Sequence, residues 1–366
     1  MVIPRKKKVV KKKTLAAALK GKMKKEERVV CWNGPIENGV TQSMMNAFLV
    51  CRERFRLHTV EGLQPVDEFK HSLEFGNMWH LCEENAAPSC DWEVALQDFT
   101  KSLCRRYPLQ QEQIVKWYRI CKLLFPIYQN YWKKSTKKHR LISTEETFEV
   151  SYVLPSKRII KLRGKWDEVF EICSGTQKGI WLKENKTSGQ IVEQQIKSRL
   201  QFDLQTMTYL IARKLWRPKE NIRGVWYNVV RRPLSGGKHF IRQHKPTKSN
   251  PQGENVEEYY ERLTGLITEE PEHYFMRWPS RVLPNDYQKF EQTYLIPLLE
   301  QMCDWWEWVS KEPFKPFRKG NKLHYRTPYG IYNIIAEGGD SSVDHYLNTG
   351  DEQGLKRRNT NFSELE

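Results

Sequence analysis

The feature that most constrains this chain is the run from Arg163 to Tyr209, in which a strand, a turn, a second strand and a helix follow in close succession. The first strand carries the spacing G-x-x-D, from Gly164 to Asp167. The turn reads SGTQKG and the second strand reads IWLKENKT. Apolar strands joined by a turn of this kind predict a hairpin. The helix that follows makes this an α/β unit.

The hairpin places groups suited to metal and phosphate chemistry together. Side chains alternate along a strand, so Glu184 and Lys186 point to one face and Asn185 to the other. The turn allows Asp167 to lie beside Glu184. Two neighbouring carboxylates repel unless a cation lies between them, and carboxylate oxygens suit Mg²⁺ or Mn²⁺. Lys186 adds a positive charge that could orient a water or stabilise charge developing on a phosphate.

The helix after the second strand completes a recognisable order of motifs. Gln205 and Tyr209 are four residues apart and share one face of this helix. The succession G-x-x-D, E-x-K-T and Q-x-x-x-Y resembles the PD-(D/E)XK nuclease superfamily, and in detail its RecB-like exonuclease branch. The resemblance implies an α/β fold with a restriction-endonuclease-like core. This core is a small mixed central sheet flanked by helices, with helical N- and C-terminal additions.

The resemblance also implies a set of metal ligands. Upstream of the hairpin, Gly76 and His80 form the spacing G-x-x-x-H, in which the family places a metal-binding histidine. By this resemblance, His80, Asp167 and Glu184 would ligate Mg²⁺ or Mn²⁺, together with the backbone carbonyl of Asn185. The alternative for His80 is a structural role on an amphipathic helix.

Three further residues receive roles in the reaction from the same resemblance. Lys186 would position or activate the attacking water. Gln205 and Tyr209 would brace the site or contact the DNA strand near the scissile phosphate. The implied activity is metal-dependent hydrolysis of DNA by an exonuclease that acts in recombination, repair or phage DNA processing.

The charge of the chain favours DNA as the partner. The net charge is +17, and a basic surface suits a polyanion. Residues 1–28 hold twelve Lys/Arg and two Glu, so we expect a disordered tail that serves as a DNA-binding arm. The alternatives for this tail are a nuclear import signal and a solvated segment. Lys133, Lys134, Arg231 and Arg232 are further candidates for DNA binding.

Composition shifts predict the domain boundaries. We expect a basic tail at 1–28, a single nuclease domain at 29–355 and a frayed C-terminus at 356–366. Within the domain we expect a helical insertion at about 91–140, a catalytic core at about 145–232 and a helical C-terminal part at about 256–312. The stretch HYRTPYG, at 324–330, resembles the C-terminal part of phage-type relatives.

Cysteine usage and hydropathy exclude several classes. Some RecB-like nucleases hold an iron–sulfur cluster through one upstream and three clustered downstream cysteines. Here only Cys303 follows the predicted core, so we expect no such cluster. The chain contains no run of eighteen apolar residues and no apolar signal core at its N-terminus. We therefore expect a cytoplasmic protein without membrane contact. If the protein is phage-encoded, we expect it in the cytoplasm of the host cell.

Three alternatives to the exonuclease stay open from the sequence. A structure-selective endonuclease uses the same chemistry and differs in how DNA reaches the site. A nucleic-acid-binding module could retain the fold without activity, although the complete set of motif residues argues against it. A basic structural or packaging protein would contain E-x-K by accident. Partners besides DNA, either a second copy or a recombination protein, are not readable from the sequence.

Overall fold

The structure is a computed structural model, and it describes residues 31–65, 69–86, 90–189, 191–233, 243–249, 251–311, 355–358, 360–363 and 365. The predicted basic tail at 1–28 and the phage-like stretch at 324–330 lie outside the described residues. Among the described residues, no helix is long and apolar enough to cross a membrane.

The described residues form an α/β fold of mixed strands and helices. In chain order, the strands are β1 (Leu63–Pro65), β2 (His139–Val153), β3 (Ile159–Ile172), β4 (Gly179–Ser188), β5 (Ile222–Arg231), β6 (Phe275–Arg281) and β7 (Leu355–Arg357). The helices are α1 (Gly34–Glu37), α2 (Gln42–Val50), α3 (Arg52–Phe55), α4 (His71–Glu84), α5 (Trp92–Arg106), α6 (Gln111–Trp132), α7 (Glu193–Leu200), α8 (Leu204–Trp216), α9 (Val256–Glu269), α10 (Pro271–Tyr274), α11 (Pro284–Phe290) and α12 (Ile296–Lys311).

Five strands form the central sheet, in the order β2-β3-β4-β5-β6. The pairs β2–β3, β3–β4 and β5–β6 are antiparallel, whereas β4 and β5 run parallel. A parallel pair needs a crossover connection rather than a tight turn, and α7 and α8 lie within that connection. The antiparallel pairing of β3 with β4 confirms the hairpin predicted from the sequence. The sheet contains both parallel and antiparallel pairs, so it is mixed as expected.

Helices cover both faces of this sheet and form two apolar cores. Along β5, Tyr227 and Val229 belong to the first core, which also contains buried side chains of α2, α8 and α12. Val230 belongs to the second core, which is built mainly from α4, α5, α6 and α9. This alternation follows from the period of two along a strand. The two faces of the sheet thus pack against different sets of helices.

The C-terminal residues differ from the expected frayed end. Leu355–Arg357 pairs antiparallel with β1, and the backbone N–H of Arg358 donates to the carbonyl of Gly62. The side chains of Leu355 and Phe362 are buried. Burial of apolar side chains and backbone pairing with a segment distant in sequence hold these residues in place. The polar composition of the C-terminal stretch does not predict such long-range contacts.

Candidate active site

The candidate site lies where β3 and β4 separate. The pairing of the two strands runs from Ile172 and Gly179 to Glu168 and Lys183. Beyond this point β3 continues beside β2, and β4 continues beside β5. Asp167 is the first residue of β3 inside the fork.

The carboxylate of Asp167 crosses this fork. Its Oδ2 accepts a hydrogen bond from the backbone N–H of Asn185, at 2.8 Å. The alternation of buried residues also changes here, since Trp166 and Val169, three residues apart, both belong to the first core. This local irregularity accompanies the turn of Asp167 towards β4, and it places the acid next to Glu184.

Glu184, Lys186 and Gln205 form a closed triangle of hydrogen bonds. The Lys186 Nζ lies 2.5 Å from Glu184 Oε1 and 3.0 Å from Gln205 Oε1. The Gln205 Nε2 donates to the same Glu184 oxygen at 2.7 Å. Gln205 is placed by the start of α8, where the Asp203 side chain accepts from the backbone N–H of Thr206 and caps the helix.

Tyr209 lies one helical turn after Gln205 and packs against the G-x-x-D strand. Its ring is 5.5 Å from that of Phe148, and its carbonyl accepts from Trp166 Nε1 at 3.2 Å. A Cβ on Gly164 would lie 2.6 Å from Phe148 Cζ and 3.0 Å from Tyr209 Cε1. The glycine of this motif therefore makes room for the aromatic pair behind the site. Burial raises the pKa of Tyr209, so its hydroxyl remains protonated at neutral pH.

His80 reaches the site from α4. Its Nδ1 lies 3.7 Å from Asp167 Oδ2. One turn earlier, a Cβ on Gly76 would lie 3.3 Å from Thr187 Oγ1, so glycine permits the close contact between α4 and β4. Burial lowers the pKa of His80, although the carboxylates around it oppose this. The imidazole is therefore neutral at pH 7 and can offer a nitrogen lone pair.

Glu145 is a residue that the sequence did not single out. It lies in β2 between Thr144, which faces Glu168, and Glu146, which faces Trp166. Its backbone is left-handed, with φ 48°, a conformation that costs about 1 kcal/mol for a non-glycine residue. Oxygen and nitrogen atoms of His80, Glu145 and Asp167 all lie within 4.8 Å of one another.

A neighbouring lysine balances part of the charge of Glu145. The Nζ of Lys165 lies 2.5 Å from Glu145 Oε2. The left-handed backbone interrupts the alternation of β2 at Glu145, so the position of this residue near Asp167 depends on the pairing of β2 with β3. The sequence predicts both strands and allows Glu145 or Glu146 near the site, but nothing in it singles out either residue.

Burial dominates the electrostatics of the two acids of the hairpin. It raises the pKa of Asp167 to about 6, against the opposing effects of the Asn185 N–H and of Lys186. It raises the pKa of Glu184 to about 7, opposed by Lys186 and reinforced by Asp167. Burial alone would lower the pKa of Lys186, but the Glu184 carboxylate outweighs it and the pKa is raised. The lysine thus stays charged, while the two acids lack sufficient compensating charge.

A comparison with known protein families identifies the family of the chain. The family model of the PD-(D/E)XK nuclease superfamily matches residues 40–283, which is more than half of the chain. The chain belongs to the PD-(D/E)XK nuclease superfamily. Asp167, Glu184 and Lys186 lie within the matched residues, and the five-stranded mixed sheet with flanking helices is consistent with the restriction-endonuclease-like fold of this superfamily.

Other comparisons add little to this assignment. The search of curated proteins found no match. A solved structure described as the crystal structure of SSO0001 aligns over 70% of this chain and 94% of that chain, with 13% identity. Its TM-score is 0.18, and a similarity of this size supports no argument.

The donor set fits the divalent metal that PD-(D/E)XK nucleases use. One imidazole nitrogen and the carboxylates of Glu145 and Asp167 converge, and Glu184 lies beside them with a buried carboxylate. Hard oxygen donors with one imidazole suit Mg²⁺ or Mn²⁺. The raised pKa values of Asp167 and Glu184 indicate too little positive charge around these two acids, and a divalent cation would supply it.

The four basic residues predicted to bind DNA do not form one patch in this nuclease. Arg231 faces Ser188, at the end of β4 beyond Lys186. Lys133 and Lys134 lie in the turn that leads into β2, whose first residue pairs with Ile172 at the opposite end of β3. Arg231 also donates to the carbonyl of Ile191, and burial lowers the pKa values of Arg231 and Arg232. Their role in DNA binding stays a prediction.

Proposed function

We propose that the protein is a metal-dependent deoxyribonuclease that hydrolyses phosphodiester bonds and acts as an exonuclease with Mg²⁺ or Mn²⁺. The observation that carries the proposal is the convergence of Asp167, Glu184 and Lys186 at the fork of β3 and β4. Two buried carboxylates of raised pKa beside a charged lysine suit a cation and a phosphate.

The residues of the site divide into those that hold the metal and those that act on the substrate. His80, Glu145, Asp167 and Glu184 would hold a divalent cation, with the backbone carbonyl of Asn185 as a further ligand. When bound, the cation supplies positive charge to the scissile phosphate and lowers the pKa of an attacking water. The carboxylates must be ionised for this, so the metal-bound form favours their charged states.

Lys186 acts from the edge of this group. Because its pKa is raised, it is an ammonium ion at neutral pH. It therefore donates hydrogen bonds and stabilises negative charge on the phosphate, rather than removing a proton. Gln205 accepts from its Nζ at 3.0 Å and holds the ammonium group in place.

The exonuclease assignment rests on the RecB-like motifs. Gly76 and His80 in α4, and Gln205 and Tyr209 in α8, match the spacings of that branch in addition to the shared D…E-x-K. They support an exonuclease that acts on DNA in recombination, repair or phage DNA processing.

The test uses end-labelled linear DNA and a covalently closed circle, each incubated with Mg²⁺, Mn²⁺ or chelator. Parent protein is compared with Lys186→Ala and with Lys101→Ala, an exposed lysine of α5. Metal-dependent loss of the linear DNA alone, abolished only by Lys186→Ala, is the expected result. Cutting of the circle would replace the exonuclease with an endonuclease. Tight, salt-sensitive binding without cleavage would replace the enzyme with a binding module.

A further inference from the structure

A second charged group lies on the opposite face of the catalytic strand. Lys183 immediately precedes Glu184, and its Nζ donates to Glu83 Oε2 at 2.9 Å and to Glu168 Oε2 at 2.8 Å. We call these three residues the Lys183 cluster. The lysine and Glu83 are only 11% and 8% exposed, so these are buried ion pairs rather than surface contacts.

Each member of the Lys183 cluster is close in sequence to a residue of the candidate site. Glu168 follows Asp167, and Lys183 precedes Glu184. Glu83 lies three residues after His80 in α4. The three segments that carry the site are therefore joined by one ammonium group, on the far side of the backbone.

Hydrogen bonds connect this cluster to the site through two asparagines. The Nδ2 of Asn228 donates to Asn185 Oδ1 at 2.7 Å and lies 3.3 Å from Glu83 Oε1. The backbone N–H of the same Asn185 donates to Asp167 Oδ2. A continuous path of polar contacts thus runs from Glu83 to the carboxylate of Asp167.

Neighbouring residues hold Glu83 in its charged form. Burial would raise the pKa of Glu83, but Lys183, a hydrogen bond from Tyr128 and the charge of Arg277 together lower it. The Nη2 of Arg277 donates to Tyr128 Oη at 2.7 Å. Glu83 is thus ionised, and each member of the cluster has a hydrogen-bonding partner, which makes the geometry of the cluster stiff.

We propose that the Lys183 cluster is the positioning device of the active site: Lys183 fixes the separation of β3, β4 and α4, and through them the distances among Asp167, Glu184 and His80. This inference rests on the proposed nuclease function. Since alternate residues of a strand share one rigid backbone, the position of Lys183 and Asn185 determines that of Glu184 and Lys186. Ligand positions must be held to within a fraction of an ångström for metal binding and catalysis.

A purely structural role for the cluster would have a different signature. A buried ion pair is often replaceable by neutral side chains of similar volume without loss of stability, whereas removal of one partner is costly. A cluster that only stabilises the fold could therefore be replaced as a whole. A cluster that positions the site could not.

The experiment compares two variants of the full-length protein. Lys183→Met leaves two buried carboxylates without their cation. The triple variant Glu83→Gln, Glu168→Gln and Lys183→Met removes all three charges at nearly constant volume. The melting temperature, the Mn²⁺ dissociation constant from calorimetry, and kcat and KM for linear DNA are measured for each, below the melting temperature of both.

The expected result separates catalysis from stability. The triple variant should regain most of the melting temperature that Lys183→Met loses. Both variants should bind Mn²⁺ about 10- to 100-fold more weakly and show a kcat about 10- to 100-fold lower at saturating metal. KM for DNA should change little, because the cluster faces away from Glu184 and Lys186.

A matched control is available in another part of the chain. Arg56 is buried and makes ion pairs with Glu53 and Glu61, in a segment that contains no candidate site residue. Arg56→Met should lower the melting temperature in a similar way while Mn²⁺ affinity and kcat stay at parent values.

The outcomes separate this inference from the proposed function. A triple variant with parent Mn²⁺ affinity and parent kcat would overturn the positioning role. A parent protein that binds Mn²⁺ but does not cut DNA would overturn the nuclease, while the Mn²⁺ affinities of the variants would still decide the positioning role. A parent that does neither would overturn both.

Discussion

On each face of β4 a lysine of the strand lies beside a buried glutamate, but the pKa values of the two glutamates shift in opposite directions. On one face, Glu184 is buried beside Lys186, and burial raises its pKa to about 7. On the other face, Glu83 is buried beside Lys183, yet its pKa is lowered. A lysine neighbour alone therefore does not decide whether a buried glutamate is ionised.

The number of carboxylates and cations accounts for the difference. Glu184 shares its surroundings with Asp167, whose negative charge raises the pKa further. Glu83 instead receives Lys183, a hydrogen bond from Tyr128 and the charge of Arg277. The face that carries the candidate site is short of positive charge, and the opposite face is not. A site proposed to take up a cation differs in this way from the Lys183 cluster, which already contains its own positive charge.

The largest expected effect comes from Asp167→Asn. Loss of this carboxylate should lower kcat about 1,000-fold, since Asp167 is one of the proposed metal ligands. In chelator at pH 8 the same variant should melt a few degrees higher than the parent, because a buried acid with a raised pKa is held ionised there at a cost. Cleavage assays and thermal melts measure both effects. A variant that melts lower than the parent in chelator would show that the buried Asp167 carboxylate does not destabilise the metal-free fold.

The pH dependence of metal binding should follow the two raised pKa values. In the folded protein the pKa is about 6 for Asp167 and about 7 for Glu184. Both values lie above those of the unfolded chain, so protonation of these acids stabilises the metal-free fold. That contribution is present at low pH and is lost as the pH rises through 6 and 7. The cation needs the ionised forms, so Mn²⁺ affinity should rise roughly 100-fold between pH 5.5 and 8.

Calorimetry across this pH range measures the affinity, and melts in chelator measure the stability of the metal-free protein. An affinity for Mn²⁺ that stays constant from pH 5.5 to 8 would mean that these carboxylates are not the ligands.

Glu83→Gln should act in the opposite direction to Asp167→Asn on stability. The substitution removes one of the two carboxylates that pair with the buried Lys183. This loss should lower the free energy of unfolding by about 3 kcal/mol at pH 7. Because the pKa of Glu83 is lowered, this contribution is present above the unfolded pKa and fades as the pH falls through the folded value. Urea unfolding measures it, with Glu93→Gln, an exposed glutamate of α5, as the control. Equal stability of the two variants would remove the contrast between the faces.

The smallest expected effect concerns Glu145. If its carboxylate joins His80 and Asp167 around the metal, Glu145→Gln should weaken Mn²⁺ binding about tenfold. Glu149→Gln, on the same strand and paired with Arg163 at the surface, should leave the affinity unchanged. Calorimetric titration of both variants decides the point, and equal affinities would remove Glu145 from the ligand set.

Local features of the sequence were sufficient to predict the core of the fold. The hairpin of β3 and β4 was readable because its two strands adjoin a turn of Ser and Gly. The mixed sheet and the family followed from the order of the motifs. The face shared by Glu184 and Lys186 followed from the period of two along a strand. The pairing of Leu355–Arg357 with β1 is a long-range contact that the expectation of a frayed end at 356–366 did not include.

Other parts of the site depend on contacts that no local pattern contains. Glu145 comes to face the site through the pairing of β2 with β3 and a left-handed backbone. Glu83 and Lys183 lie 100 residues apart. Asp167 turns into the fork where the alternation of β3 changes, and this irregularity is a property of the packed sheet.

The sequence by itself determined which chemistry is predicted for the chain, because the acids and the lysine of a D…E-x-K hairpin lie on two strands joined by one turn and their faces follow from strand geometry. Only the tertiary structure decided how these groups are charged and held. The packing of α4 against β4 buries Asp167 and Glu184, and this burial raises their pKa values. The same packing brings Lys183 into contact with Glu83. Solvent exclusion and long-range pairing are consequences of packing and are absent from any stretch of sequence read alone.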